Sequence, residues 1–293
     1  MALTATELQS SPRFVTALKG LATQLQGQFD GNPKLSRFMA SHQRWLLSQA
    51  AFALQLEYDP AVGGSGLTTG RLKEMILTVK AASRNTVLNF LDQLMAYRYM
   101  RRADDGGRRP RRFEATDIST QAMYNWFLAN LAALDSVDDG NRLAEAAAEP
   151  RIFRLAQPRI ARHCIADDRW REPPPRVALF LWTESGGLVM DEIVSRIEVG
   201  VDEDRFDLGR IDARAMAGRF LMSRTHLQRL LRKGVELGCL AWHDEAKKTH
   251  MWMTRDYLDE YCGWQAVKFS IVDEAFDWAR AELKSRAEPQ PAE

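Results

Sequence analysis

Between Ser11 and Phe29 the apolar residues Phe14, Leu18, Leu21 and Leu25 recur at helical spacing, and from Leu35 to Tyr58 the residues Phe38, Trp45, Phe52 and Leu56 do the same. Both stretches predict amphipathic helices. The turn-rich DPAVGGSG (Asp59 to Gly66) ends this pattern, and Leu67-Thr68-Thr69 then offers an N-cap to a helix through GRLKEMILTV. Ser83 caps the next helix, which puts Val87, Leu91, Leu94 and Met95 on one face and turns Arg84, Asn85, Asn89 and Gln93 elsewhere. Asp105-Gly106-Gly107 has the chemistry of a hairpin turn. A further amphipathic helix, ISTQAMYNWFLANLAALDS, is stopped by the turn formers of SVDDGN (Ser136 to Asn141). In the stretch that follows, Pro150 and Pro158 should interrupt any helix, and Pro173 to Pro175 should form a stiff spacer.

The second half repeats this plan. RVALFLWTES and GGLVMDEIVSRIEVG read as two short helices broken at Gly186-Gly187, and GRIDARAMAGRFLM leads into a helix capped by Ser223 with Leu227, Leu231 and Val235 as its buried stripe. CLAWHDEAKKTHMWMTRD alternates like a second hairpin, YLDEYCGWQAVKFSIVDEAFDWARAEL reads as a long terminal helix, and KSRAEPQPAE reads as a disordered tail. Laid side by side, Ser83-Arg84 pairs with Ser223-Arg224; Val87, Leu91 and Met95 pair with Leu227, Leu231 and Val235; Thr116 pairs with Thr254 and Trp126 with Trp264. The pattern therefore predicts an internally duplicated, mainly α fold with small β wings. Its expected division is 1–140 for the first half, 141–175 for a bridge, 176–286 for the second half and 287–293 for the tail.

Composition narrows the class. A chain of 293 residues, 45% of them apolar, can bury the cores of two ordinary domains. The longest compact apolar run, VALFLW at Val177 to Trp182, falls far short of the roughly 20 residues of a membrane helix, and the N-terminus carries no basic start followed by an apolar run. A soluble cytoplasmic protein is expected. Cys164, Cys239 and Cys262 share no Cys-x-x-Cys spacing, and the five histidines show no metal-ligand spacing with cysteines or carboxylates. No Gly-rich phosphate loop, nucleophile elbow or paired-carboxylate motif appears, so neither an enzyme nor a cofactor or metal site is expected.

The net charge of +1 conceals a segregation. From Arg98 to Arg112 the chain holds seven arginines against two aspartates, whereas Glu184 to Asp207 holds eight acidic and two basic residues. One face is thus suited to a polyanion. A helix that reads duplex DNA needs short polar or basic side chains on its exposed N-terminal half. Arg84, Asn85, Thr86 and Asn89 have that placement in the first half, and Arg224, Thr225, His226, Gln228 and Arg229 have it in the second. Arg101, Arg102, Arg108, Arg109, Arg111 and Arg112 flank the first hairpin turn, where phosphates or a minor groove would be within reach, and Lys247 and Lys248 occupy the second.

At these residues the chain resembles the MarR family of bacterial winged-helix regulators. SRNTVLNFLDQLMAYRYMRRADDGGRRPRRFEATD looks like that family's recognition helix, wing and closing threonine, while SRTHLQRLLRKGVELGCLAWHDEAKKTHMWMTRD is similar in its helix but lacks glycine and the arginine cluster in its wing. The resemblance covers about Leu67 to Thr254 with a gap in the bridge. It implies tandem winged helix-turn-helix domains braced by long helices, acting on double-stranded DNA as a single-chain pseudo-dimer. Two such readers would span half-sites about 34 Å apart. It also leaves room for a small-molecule effector among the aromatic helices, although no residue specifies one. Further dimerisation stays open, as do two rival uses of the same elements: a plasmid-type replication initiator with tandem winged helices, and a protein-interaction scaffold contacting partners through the acidic stretch.

Overall fold

The computed structural model describes residues 2–106, 109–198, 204–244 and 246–287, and it is mainly helical with two small antiparallel sheets. In chain order, α1 (Ala5–Ser10), α2 (Phe14–Gly31) and α3 (Pro33–Met39) precede α4 (His42–Leu56). Then come α5 (Thr69–Thr78), α6 (Arg84–Ala96), strands β1 (Met100–Arg102) and β2 (Phe113–Ala115), and α7 (Asp117–Asp138). α8 (Arg142–Ala148), α9 (Arg151–Ala166), α10 (Asp168–Arg171), α11 (Pro175–Leu181) and α12 (Gly186–Ser195) follow. The chain closes with β3 (Arg205–Arg210), α13 (Ala213–Arg219), α14 (Arg224–Glu236), β4 (Leu240–Trp242), β5 (His250–Thr254) and α15 (Arg255–Ala287). No helix among the described residues is long and apolar enough to cross a membrane.

Several elements differ from the sequence-based expectation; α1, α8 and α10 are additional short helices, and Pro175 of the expected spacer opens α11. The helix expected from Leu35 to Tyr58 is two helices, because the chain turns at Ala40 and the Ala40 carbonyl accepts the amide of Gly187 at 3.0 Å. Only glycine permits that approach, since a Cβ at position 187 would collide with the Ala40 oxygen. Pro158 does not interrupt α9 but sits inside it. Ile152, Phe153, Ala156, Ile160 and Ala161 bury one face of that helix, and this burial outweighs the roughly 3 kcal/mol that an interior proline costs. Strand β3 was not anticipated at all. Finally, Lys284 to Ala287 complete α15, where Glu282 and Arg286 pair at 2.9 Å one turn apart, and positions 288–293 of the expected tail lie outside the described residues.

Contacts gather the chain into two compact units whose segments are discontinuous, in contrast to the consecutive boundaries read from sequence. The first unit takes Gln43–Arg171 together with the N-terminus through Thr4 and the C-terminal segment from Lys268. The second takes Ala5–His42 and Glu172–Val267. The divide falls within α15, a single uninterrupted helix in sequence terms, so periodicity gave no sign of it.

In the first unit, Trp45 meets Trp126 and Trp170 edge to face, with ring centroids 5.7 and 5.2 Å apart, and Phe153 packs against Phe52, Tyr124 and Phe127. One charged node fastens the chain ends to this core. The Arg142 guanidinium donates to Asp273 at 2.6 and 3.2 Å and to Asp138 at 2.7 Å through two nitrogens, and fully buried Asp273 also accepts the Leu3 amide at 2.8 Å. Asp135 accepts the amides of Arg142 and Leu143, which starts α8 directly after α7.

In the second unit, α2 lies along α12. Lys19 donates to the Ile197 carbonyl at 2.7 Å, and Gln26 donates to Ser195 Oγ at 2.8 Å and to the Asp191 carbonyl. Glu192 accepts from Arg196 and Arg219, and Arg219 reaches Asp30 as well. The His42 ring lies between Trp182 and Trp264, 5.6 and 5.4 Å away. The sheet has the order β3-β5-β4 and buries Phe206, Leu208, Met251 and Met253 on one face.

The Arg142 node makes two outcomes measurable. Asp273→Ala leaves a buried guanidinium partly unmatched and should lower the unfolding free energy by about 3 kcal/mol, read from the shift in urea midpoint; no shift would mean that the node does not hold the termini. Hydrogen bonding to Arg142 also keeps the Asp138 carboxyl below its usual range. A depressed carboxyl stabilises the fold above its unfolded pKa, so this contribution should fade as pH falls below about 4. In Arg142→Met, acid titration of stability should be flatter in that window.

Candidate nucleic-acid interface

The segments 84–100 and 224–240 share a local design that sequence comparison shows only in part. Each helix opens on a serine whose Oγ accepts an amide three residues on: Ser83 from Thr86 and Ser223 from His226, both at 3.1 Å. Val87, Phe90, Leu91 and Leu94 are buried on α6, and Leu227, Leu230, Leu231 and Gly234 occupy the equivalent places on α14. Across the two segments the buried, half-buried and exposed classes coincide at every pair of positions except Leu88 and Gln228, where the leucine is half-buried and the glutamine exposed.

Both helices also end in the same way. Amides at Tyr97, Arg98 and Tyr99 return to carbonyls of Gln93, Met95 and Leu94, and those of Leu237, Gly238 and Cys239 return to Lys233, Val235 and Gly234. The turn needs a left-handed residue, which is Arg98 in one case (φ 58°) and Gly238 in the other (φ 69°). Gly238 adopts that conformation without steric cost, whereas Arg98 bears it. The following strand is clamped by a threonine: Thr116 Oγ1 donates to the carbonyl of Arg98 at 3.1 Å, and Thr254 Oγ1 to that of Gly238 at 2.7 Å.

The hairpins pair as β1 with β2 and β4 with β5, both antiparallel. In the second unit β3 adds a third strand alongside β5. The counterpart in the first unit is reduced to a bridge between Thr68 and Arg112, with the Phe113 amide donating to the Leu67 carbonyl at 2.9 Å. The segment preceding each helix pair therefore joins the outer strand of its hairpin. RFDLGR carried the available signal for β3, in the alternation of buried Phe206 and Leu208 with more exposed neighbours.

The one-sided burial decides where the candidate residues point. Arg84, Asn85 and Asn89 are exposed on α6, while Thr86 is half-buried and bonded through Oγ1 to Ser83 Oγ at 2.9 Å. Arg224, Thr225, Gln228 and Arg229 are exposed on α14, joined by Arg232 and Lys233. His226 is half-buried with Nε2 turned inward. Lys247 and Lys248 are exposed between β4 and β5, with Lys247 3.8 Å from Asp244.

The arginines of the first hairpin are not equivalent. Arg101, Arg102, Arg109 and Arg111 are exposed, although Arg101 lies 3.6 Å from Glu114. Arg112 is withdrawn from solvent: its side chain is only 12% exposed, its guanidinium lies over the Tyr58 ring at 3.9 Å, and it pairs with Glu114 at 2.9 Å. It anchors the hairpin to the turn before α5 rather than presenting charge outward. Arg108 lies outside the described residues.

The three cysteines are buried. Burial pushes the Cys239 thiol up to about 11 and that of Cys262 up to about 12, and raises Cys164 further. Thiolate chemistry is suppressed at all three. Among the described residues no group of three or more histidines, cysteines and carboxylates is placed to hold a metal ion. Comparison with protein-family models, curated proteins and solved structures finds no match to the chain.

The contrast between neighbouring arginines is testable without any ligand. Arg112→Ala removes a stacked, paired side chain and should cost about 1–2 kcal/mol of stability, whereas Arg111→Ala should change it by less than about 0.5 kcal/mol. Equal effects in denaturant titrations would refute the distinction.

Proposed function

We propose that this chain binds duplex DNA in a sequence-dependent manner and regulates transcription as a single-chain pseudo-dimer of two winged-helix units, of the MarR-like type that its sequence resembles. The observation that carries this reading is the shared exposure pattern of 84–100 and 224–240, in which burial of one helix face leaves arginine, asparagine, threonine and glutamine on the other. An α-helix fits the major groove, where arginine bonds guanine in bidentate fashion and asparagine or glutamine bonds adenine. The hairpin of the first unit adds Arg101 and Arg102 on β1 and Arg109 and Arg111 before β2, all exposed. Such side chains suit phosphates flanking the groove that the helix enters, and phosphate contacts fix register while base contacts confer choice.

The charge distribution supports a polyanionic partner such as DNA. Guanidiniums that serve packing in this chain are paired: Arg112, Arg142 and Arg219 each meet one or more carboxylates. The side chains of Arg84, Arg224 and Arg229 form no hydrogen bond or ion pair among the described residues and remain available to an external anion.

Titration of random-sequence duplex at several salt concentrations is the direct test. Log affinity should fall linearly with log salt. Changing Arg101, Arg102, Arg109 and Arg111 together to alanine should make the slope shallower by roughly 2 to 4, since each neutralised phosphate contributes about 0.9 to it. Absence of duplex binding at low salt would end this reading.

A further inference from the structure

The two reading helices present different chemistry at equivalent, equally exposed positions. Asn89 on α6 corresponds to Arg229 on α14, Asp92 to Arg232, and Gln93 to Lys233. Arg84 and Arg224 are the shared element in the first turn. The outward face of α6 is thus close to neutral, while that of α14 is strongly basic. Neither the Asn89 nor the Arg229 side chain is engaged in a hydrogen bond or ion pair among the described residues, and the Gln93 side chain accepts from Arg44 at 3.3 Å. The middle of α6 therefore offers an amide, and the middle of α14 a guanidinium.

Resting on the DNA-binding reading above, we infer that the chain recognises an asymmetric duplex site, with adenine selected opposite Asn89 in one half and guanine opposite Arg229 in the other. An amide side chain presents one donor and one acceptor in a plane, which matches N7 and N6 of adenine, whereas a guanidinium presents two parallel donors, which match N7 and O6 of guanine. Exchange of one for the other at a fixed place on the helix reverses the hydrogen-bond code. Asp92 reinforces the difference: a carboxylate repels phosphate, while Arg232 at the equivalent place of α14 attracts it, even when shared with Glu236 at 3.6 Å. Backbone attraction consequently comes from the hairpin arginines in the first unit and from the helix itself in the second.

Selection from a randomised duplex pool, with the full chain and with the variants Asn89→Arg and Arg229→Asn, tests this. The unaltered chain should enrich a site whose halves differ, one carrying an adenine and the other a guanine that the variants change. Asn89→Arg should convert the adenine to guanine and leave the other half intact; Arg229→Asn should do the reverse, each shifting preference at its base pair about tenfold or more. Both side chains are exposed and unpaired, so folding is not at issue, and each variant controls for the other. A site with identical halves, or a variant that leaves the enriched sequence unchanged, would overturn the asymmetry while leaving sequence-dependent DNA binding intact; steep salt-dependent binding without enrichment would overturn the asymmetry and the sequence dependence together, leaving only non-specific DNA binding. Failure to retain any duplex at low salt would overturn both.

Discussion

One-sided burial of α6 and α14 is the constraint on which the remaining features depend. Val87 and Leu227 are completely buried, and Phe90, Leu91, Leu230 and Leu231 nearly so. With about 100° between successive residues, fixing one apolar stripe fixes where every other side chain of the helix points. The serine cap sets where the helix starts, and the left-handed residue with its threonine clamp sets where the chain leaves it. Start, rotation and exit are each defined by a separate interaction. A helix so constrained holds its exposed side chains in a fixed pattern, which recognition of a rigid partner requires.

The same logic separates residues that composition treats alike. Seven arginines crowd the segment from Arg98 to Arg112, yet they serve different purposes. Arg98 bends the chain, and Arg112 packs over Tyr58 and ties the hairpin to the residue before α5. Arg101, Arg102, Arg109 and Arg111 carry charge outward. The split between Arg111 and Arg112 comes from local partners, since Tyr58 and Glu114 take up the Arg112 guanidinium while Arg111 stays exposed. A count of charges therefore overstates the electrostatic surface, and pairing with Glu114 reduces it again.

Sequence periodicity located α2, α5, α6, α7, α14, α15 and both hairpins because each signal is local: a cap, a stripe at helical spacing, a turn of Asp and Gly. It missed what depends on distant residues. The break at Ala40 answers to Gly187, and the survival of Pro158 within α9 answers to the apolar face buried around it. The composition of the units is another such feature, since Ala5–His42 joins residues beyond Glu172 and the segment from Lys268 joins residues before Arg171. The Asp273–Arg142 contact spans much of the chain, and no periodicity announces it. Of the candidate surface, the helix faces were legible because burial period determines them. The fate of Arg112 was not, because it turns on a ring supplied by the distant residue Tyr58.

Placing two similar units in one chain changes what selection by a partner can demand. In a homodimer the same helix must serve both halves of a two-fold site, so any substitution is made twice and the site stays symmetric. Here Asn89 and Arg229 occupy matching places yet belong to separate codons, so the two positions can change independently. The parts that differ between the units are the outward positions, the third strand β3, and single framework residues such as Leu94 against Gly234 and Arg98 against Gly238. The parts that agree are the caps, the buried stripes, the exit turns and the threonine clamps. The unequal distribution of charge therefore arises on the exposed faces, over caps, exit turns and threonine clamps that both segments share.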